Sequence, residues 1–177
     1  MTVPRRLEAN RTHSLTRRTA RRALYLRPDP WTTQLVGYAV GLALRRRPGL
    51  RLHALLAQAN HVHELLTDQP SPERCSELPD FCRDRNSLVA RALNTRLGRG
   101  EALWRDGSYG SVEVHDGASL EAQLVYVWSN CVKDGLVERP EDWPGLRFLP
   151  EDFGRTFTFR RPEGAFFGGR RPAGQGE

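Results

Sequence analysis

Leu50–Asp68, LRLHALLAQANHVHELLTD, is the stretch on which the reading of the fold turns. It holds three of the chain's five histidines, and His61 and His63 stand one residue apart. Leu50–Ala57 reads as a β-strand and Asn60–Leu66 as its partner across a short turn. Side chains alternate between faces on a strand, so His61 and His63 share a face. Imidazole is the commonest protein metal ligand, and two on one face make half a metal site. By the same parity Glu64 lies on the side of Val62, which faces the core. A charge in a core strand is costly, so a bulge near Glu64 or an edge position for this strand is expected.

Upstream, Asp29-Pro30 is a helix start, with Asp as N-cap and Pro at the first helical position. Trp31, Leu35, Tyr38, Ala39, Leu42 and Ala43 follow at helical spacing. Arg45, Arg46 and Arg47 suit the negative end of the helix dipole, and Pro48-Gly49 stops it. Before this helix, His13–Arg17 reads as a strand, and an arginine-rich loop, RRTARRAL over residues 17–24, leads out of it.

Downstream, residues 68–78 form a polar connection. A helix is expected from Asp80 to Leu97, burying Phe81, Leu88, Val89, Ala92 and Leu93, with Arg83, Arg85, Arg91 and Arg96 on its other faces. Trp104–Val114 reads as extended, with a turn containing Gly107 and alternating Val112 and Val114. Ser119 caps a last helix whose stripe is Leu120, Leu124, Trp128, Cys131 and Val132. The prolines of LVERPEDWPGLRFLPEDFG, residues 136–154, forbid a long helix there. Strand, helix, strand, strand, helix, strand, helix is the order of an α+β sandwich on an antiparallel sheet. The division expected is a basic arm over 1–12, one domain over 13–154, and a mobile Arg/Gly-rich tail over 155–177.

The 177 residues suffice for one domain with a full core. The longest near-apolar run, Leu35–Leu44, is about half of the ~20 residues a membrane span needs. No signal-peptide pattern opens the chain. Three irregularly spaced cysteines do not suggest a disulfide framework and read as reduced thiols of a cytoplasmic protein. The net charge of +6 is asymmetric: residues 1–51 hold twelve arginines against Glu8 and Asp29. An anionic partner such as nucleic acid follows from that concentration. Lys133 is the only lysine, so part of the arginine excess reflects residue usage and not function.

On the last helix Tyr126 and Asn130 are four residues apart and share a face, with Lys133 close to the same side. Together, Asn60-His61-Val62-His63 and Tyr126-Val127-Trp128-Ser129-Asn130, continuing through Gly135-Leu136-Val137-Glu138-Arg139-Pro140-Glu141-Asp142-Trp143-Pro144, resemble the HUH endonucleases. The branch they resemble is the REP-associated tyrosine transposases, relatives of the IS200-like single-tyrosine transposases. His13 with Thr16-Arg17, and Leu103-Trp104 before Tyr109, are similar to that family's first strand and pre-catalytic segment. The resemblance covers about residues 13 to 150.

It implies a ferredoxin-like HUH fold and a metal-dependent endonuclease that cuts and rejoins single-stranded DNA at hairpin-associated sites. Tyr126 would be the nucleophile, forming a 5′-phosphotyrosine link. His61, His63 and Asn130 would hold Mg²⁺ or Mn²⁺. Arg17, Arg18, Arg21, Arg22 and Lys133 would bind DNA, the partner being hairpin or single-stranded DNA of palindromic repeats. The protein would act as monomer or homodimer, with no membrane. Two departures stand out: Cys131 replaces the usual proline after Asn130, and Glu64 replaces an apolar residue. The alternatives are a non-catalytic hairpin-binding module on the same scaffold and a metal hydrolase unrelated to DNA. Tyr109 is the rival nucleophile but lacks an Asn four residues on. His53 and His115 read as structural or exposed. Cys75 and Cys82 have no metal-ligand spacing.

Overall fold

The computed structural model describes residues 9–69, 76–107 and 109–167. Most of the expected N-terminal arm, Cys75, and the last ten residues of the expected tail lie outside the described residues. The elements are β1 (Thr12–Arg18), α1 (Pro30–Arg45), β2 (Leu50–Gln58), β3 (His61–Asp68), α2 (Leu78–Arg96), β4 (Gly110–Val114), α3 (Gly117–Lys133) and β5 (Arg147–Phe148). The strands form one antiparallel sheet in the order β4-β1-β3-β2-β5. This is the α+β, ferredoxin-like arrangement expected, extended by α3 and β5.

Strand alternation divides the molecule into two layers. Leu15, Leu55, Val62 and Leu66 point to one face and pack with Leu35, Val36, Ala39 and Val40 of α1 and Phe81, Val89 and Leu93 of α2. Ala54, Leu56 and Leu65 point to the other and pack with Val127 and Cys131 of α3, under Trp143. The indole Nε1 of Trp143 donates to the Ala57 carbonyl at 2.9 Å, which closes this smaller core.

Local signals explain most boundaries. Asp29 Oδ1 accepts from the backbone of Trp31 and Thr32, and Pro30 opens α1. The cap of α3 is Asp116 and not Ser119: its carboxylate accepts from Ser119 N at 2.7 Å, so the helix begins earlier. The expected α3 stripe does pack on the smaller core, with Cys131 buried and Leu120, Leu124, Trp128 and Val132 partly buried around it, and Val127 and Asn130 are buried beside them. Of Trp104–Val114, only Gly110–Val114 is strand. Leu103 and Trp104 turn into the core instead, and Gly107 takes a positive φ of 85° that ends the extended run.

Glu64 required a bulge or an edge, and it has neither. β3 is the central strand, and the only irregularity of its pairing with β2 lies between Leu52 and Ala54. Glu64 is wholly buried, and its Oε2 accepts from Arg85 Nη2 of α2 at 2.5 Å. Arg85, expected on an outer face, is buried with it and lies against the Phe81 ring. A paired charge is the other solution to burial.

The segment expected to be a tail packs back on the domain as far as Phe167. Phe157 and Phe159 meet Phe148 of β5, and Phe167 meets Tyr38 edge-on. Trp31 and Gln34 of α1 donate to the carbonyls of Glu163 and Arg160. Phe157, Phe159 and Phe167 thus offset the cost of ordering the segment, although no periodicity marks it. Gly37 is part of this contact, because a Cβ there would strike the Phe159 ring. Gly37→Leu is expected to expose residues 157–167. Limited proteolysis should then cut within that segment, while hydrogen exchange in the sheet remains slow.

His13 and His53 give the fold an acid dependence. Burial lowers both imidazoles from 6.5, against nearby Glu113 and Asp68 for His13 and together with Arg51 for His53. The unfolded chain therefore binds more protons than the folded one just below pH 6.5. Stability is complete above that value and is lost as pH falls through it. Urea midpoints should drop from pH 7.5 to pH 5.5, and His13→Gln/His53→Gln should reduce the drop.

Candidate active site

The antiparallel register gathers side chains of β1, β2 and β3 around one point. His61 and His63 face α3, with ring centroids 4.6 Å apart. Opposite them in β1 stand Arg18 and Thr16, and opposite them in β2 stand Gln58 and Leu56. Directly paired residues share a face, so Thr16, Arg18 and Gln58 are on the histidine side and Arg17 is not. α3 crosses this face and supplies Tyr126 and Asn130, one turn apart.

The Tyr126 ring meets the His63 ring edge to face at 5.3 Å, and the Lys133 ammonium lies 5.3 Å from the same tyrosine ring. The Asn130 side chain hydrogen-bonds the His61 ring, and Gln58 Nε2 donates to Asn130 Oδ1 at 3.1 Å. Each imidazole is held from behind at Nδ1. Thr16 Oγ1 lies 2.9 Å from His63 Nδ1, and Asn60 Oδ1 lies 2.5 Å from His61 Nδ1.

The electrostatics favour neutral rings. Burial, then the neighbouring His61 and Arg18, push His63 down to about 3. Burial and Arg18 also lower His61, opposed by Asn130 and Asp134. A neutral imidazole offers a lone pair, the form that ligates metals. His63 Nε2 is buried and has no hydrogen-bond partner among the described residues. Two Nδ1-anchored imidazoles, one orphaned Nε2 and a carboxamide oxygen therefore fit one divalent ion, with ligand orientation set by Thr16, Asn60 and Gln58. Among the described residues no group of three or more His, Cys, Asp and Glu offers another such site.

Comparison with known proteins bears on the fold. No family model matches the chain, and no curated protein does. A solved REP-associated tyrosine transposase, bound to a REP hairpin, superposes with a TM-score of 0.68. That match covers 88% of this chain and 87% of the other, at 20% identity. The chain shares the fold of that REP-associated tyrosine transposase. A transposase candidate from Deinococcus radiodurans R1 is more distant, with a TM-score of 0.45, 22% identity, and coverage of 70% and 93%.

On this scaffold the expected residues separate into two groups. His61, His63, Asn130 and Tyr126 come together, with Lys133 and Arg18 at the margin. Arg17 is turned to the opposite face, where it donates to the Gly107 carbonyl and lies over Trp104. Arg21 and Arg22 are exposed on the loop after β1, both with left-handed backbone, φ 52° and 55°. A cleft of about 430 Å³ opens beside the end of β1, lined by Thr16, Arg17, Arg18, Arg105, Asp106 and Gly110. Arg105 carried no signal in sequence; its backbone N–H donates to the Arg18 carbonyl. Thr16 and Gln58 were legible only through strand parity, as same-face neighbours of the histidines. No helix among the described residues is long and apolar enough to cross a membrane.

Proposed function

We propose that this protein is a metal-dependent, single-tyrosine transposase-like nuclease that cuts and rejoins single-stranded DNA beside hairpins. The observation that carries this reading is the convergence of Tyr126 and Asn130 from α3 on His61 and His63 of β3. His61, His63 and Asn130 Oδ1 would hold Mg²⁺ or Mn²⁺, which when bound supplies Lewis-acid stabilisation to a scissile phosphate. Tyr126 Oη attacks the phosphorus, its proton passing to solvent. The bond from phosphorus to the 3′ oxygen breaks, and that oxygen leaves as a 3′-hydroxyl. The product is a 5′-phosphotyrosine that conserves the phosphodiester energy for rejoining. Lys133 and Arg18 flank the site and suit the phosphates on either side of the cut. Arg21, Arg22 and Arg105 extend this positive margin toward a hairpin.

The test is a denaturing gel of purified protein with Mn²⁺ and labelled single-stranded hairpin oligonucleotides taken from beside its own gene. A labelled band migrating with the protein, absent in EDTA, supports the proposal. Tight hairpin binding with no such band favours the non-catalytic module. Metal-dependent activity on other phosphoesters without an adduct favours the hydrolase.

A further inference from the structure

The loop after β1 is attached to the turn that delivers His61. Thr19 donates to the Asn60 carbonyl through its backbone N–H at 2.8 Å, and its hydroxyl lies between the Ala23 carbonyl at 2.7 Å and the Asn60 carbonyl at 3.0 Å. Leu26 N donates to the neighbouring Ala59 carbonyl at 2.8 Å. The same loop carries Arg21 and Arg22 in consecutive left-handed conformations, which non-glycine residues avoid. Strain of this kind persists where surrounding contacts hold it, and it concentrates at functional segments.

One side chain joins this loop to the active site. Asn60 Nδ2 donates to the Arg22 carbonyl at 3.4 Å, and Asn60 Oδ1 faces His61 Nδ1 at 2.5 Å. A carbonyl only accepts, so the amide nitrogen of Asn60 must point at Arg22 and its oxygen at His61. An oxygen facing Nδ1 requires that Nδ1 carry the proton. The Nε2 lone pair is then left free for a ligand, beside an Asn130 side chain that reaches the same ring and whose oxygen accepts from Gln58. A free imidazole lone pair beside a carboxamide suits a divalent cation bound between them.

We infer that Asn60 is a positioning residue that couples the arginine loop to the active site, letting the Arg22 carbonyl dictate which nitrogen of His61 is free. The inference rests on the metal-dependent reading above and deepens it: engagement of DNA by Arg21 and Arg22 and occupation of the His61 side by a divalent ion become linked. Linkage of this kind is reciprocal, so a hairpin would tighten Mn²⁺ binding by the factor by which Mn²⁺ tightens the hairpin.

The experiment uses full-length protein labelled with ¹⁵N in histidine. Long-range ¹H–¹⁵N spectra of the metal-free form read the His61 tautomer, and electron paramagnetic resonance titration reads Mn²⁺ affinity with and without a hairpin oligonucleotide. The wild type is expected to carry the proton on Nδ1. Asn60→Leu should move it to Nε2 and weaken Mn²⁺ roughly 10- to 100-fold. Asn60→Asp retains an acceptor for His61 but lacks the donor to Arg22. It should keep the Nδ1 proton and lose the effect of hairpin on Mn²⁺, which keeps the test decisive if leucine unfolds the turn.

An Nε2 proton in the wild type overturns the inference. So does a folded Asn60→Leu with unchanged tautomer and affinity, or an Asn60→Asp that retains the hairpin effect. A wild type that binds neither Mn²⁺ nor hairpin overturns the functional reading instead. The tautomer measurement still judges Asn60 in that case.

Discussion

Tyr126→Phe is expected to abolish covalent capture of DNA, by roughly 10⁴-fold or more, while leaving fold and hairpin binding intact. The substitution removes one oxygen. The phenyl ring keeps its edge-to-face contact with His63 and its place beside Lys133. Nothing in the smaller core depends on the hydroxyl: Val127, Cys131, Leu65 and Trp143 form that core around it. The measurement pairs the denaturing gel with a native hairpin-binding titration and a thermal melt. Loss of the band with unchanged binding assigns the nucleophile. An undiminished band moves it elsewhere, first to Tyr109, which lies beside β4.

Arg85→Leu is expected to destabilise the protein by about 3–5 kcal/mol, the usual effect of leaving one member of a buried pair alone. Glu64 is fully enclosed on the central strand. Burial pushes its carboxyl up while the Arg85 guanidinium opposes that shift. The pair is itself imperfectly satisfied. Glu64 Oε1 and Arg85 Nε and Nη1 have no partner among the described residues. Replacing both residues should therefore recover most of the loss, with Glu64→Leu/Arg85→Leu within about 1 kcal/mol of wild type or above it. Chemical denaturation of the two single variants and the double variant measures this directly. If Arg85→Leu lost less than about 1 kcal/mol, the pair would contribute little to stability despite its burial.

The active-site half of the fold was legible because it is written in short periods. A two-residue period put His61 and His63 on one face, and a four-residue spacing put Tyr126 beside Asn130. The turn at Ala59–Asn60 and the cap at Asp29 are local signals and fell where they were expected. What escaped depends on contacts between distant segments. Arg85 in a helical pattern reads as a surface residue, and only the tertiary meeting with Glu64 turns it inward. Phe159 and Phe167 follow no period and dock by shape on α1, so their stretch looked like a tail. Arg17 and Arg18 are indistinguishable as neighbours in a basic run, yet strand parity sends one to Trp104 and the other to the histidines. Asn60 was visible in the motif, but its two-sided hydrogen bonding was not.

β3 carries two unrelated assignments on alternate residues. Positions 61, 63 and 65 face the candidate site and the small core, and positions 62, 64 and 66 face the large one. A protein engineer can accordingly treat the strand as two sets, altering the candidate-site face without touching the large core, or the reverse. The arrangement is also brittle in one respect. One residue inserted at the Ala59–Asn60 turn would exchange the sets, driving imidazoles into the large core and Glu64 toward α3. The irregularity in β2 lies at Leu52/Ala54, toward the far end of the hairpin, so slack accumulated there leaves the two histidines in register.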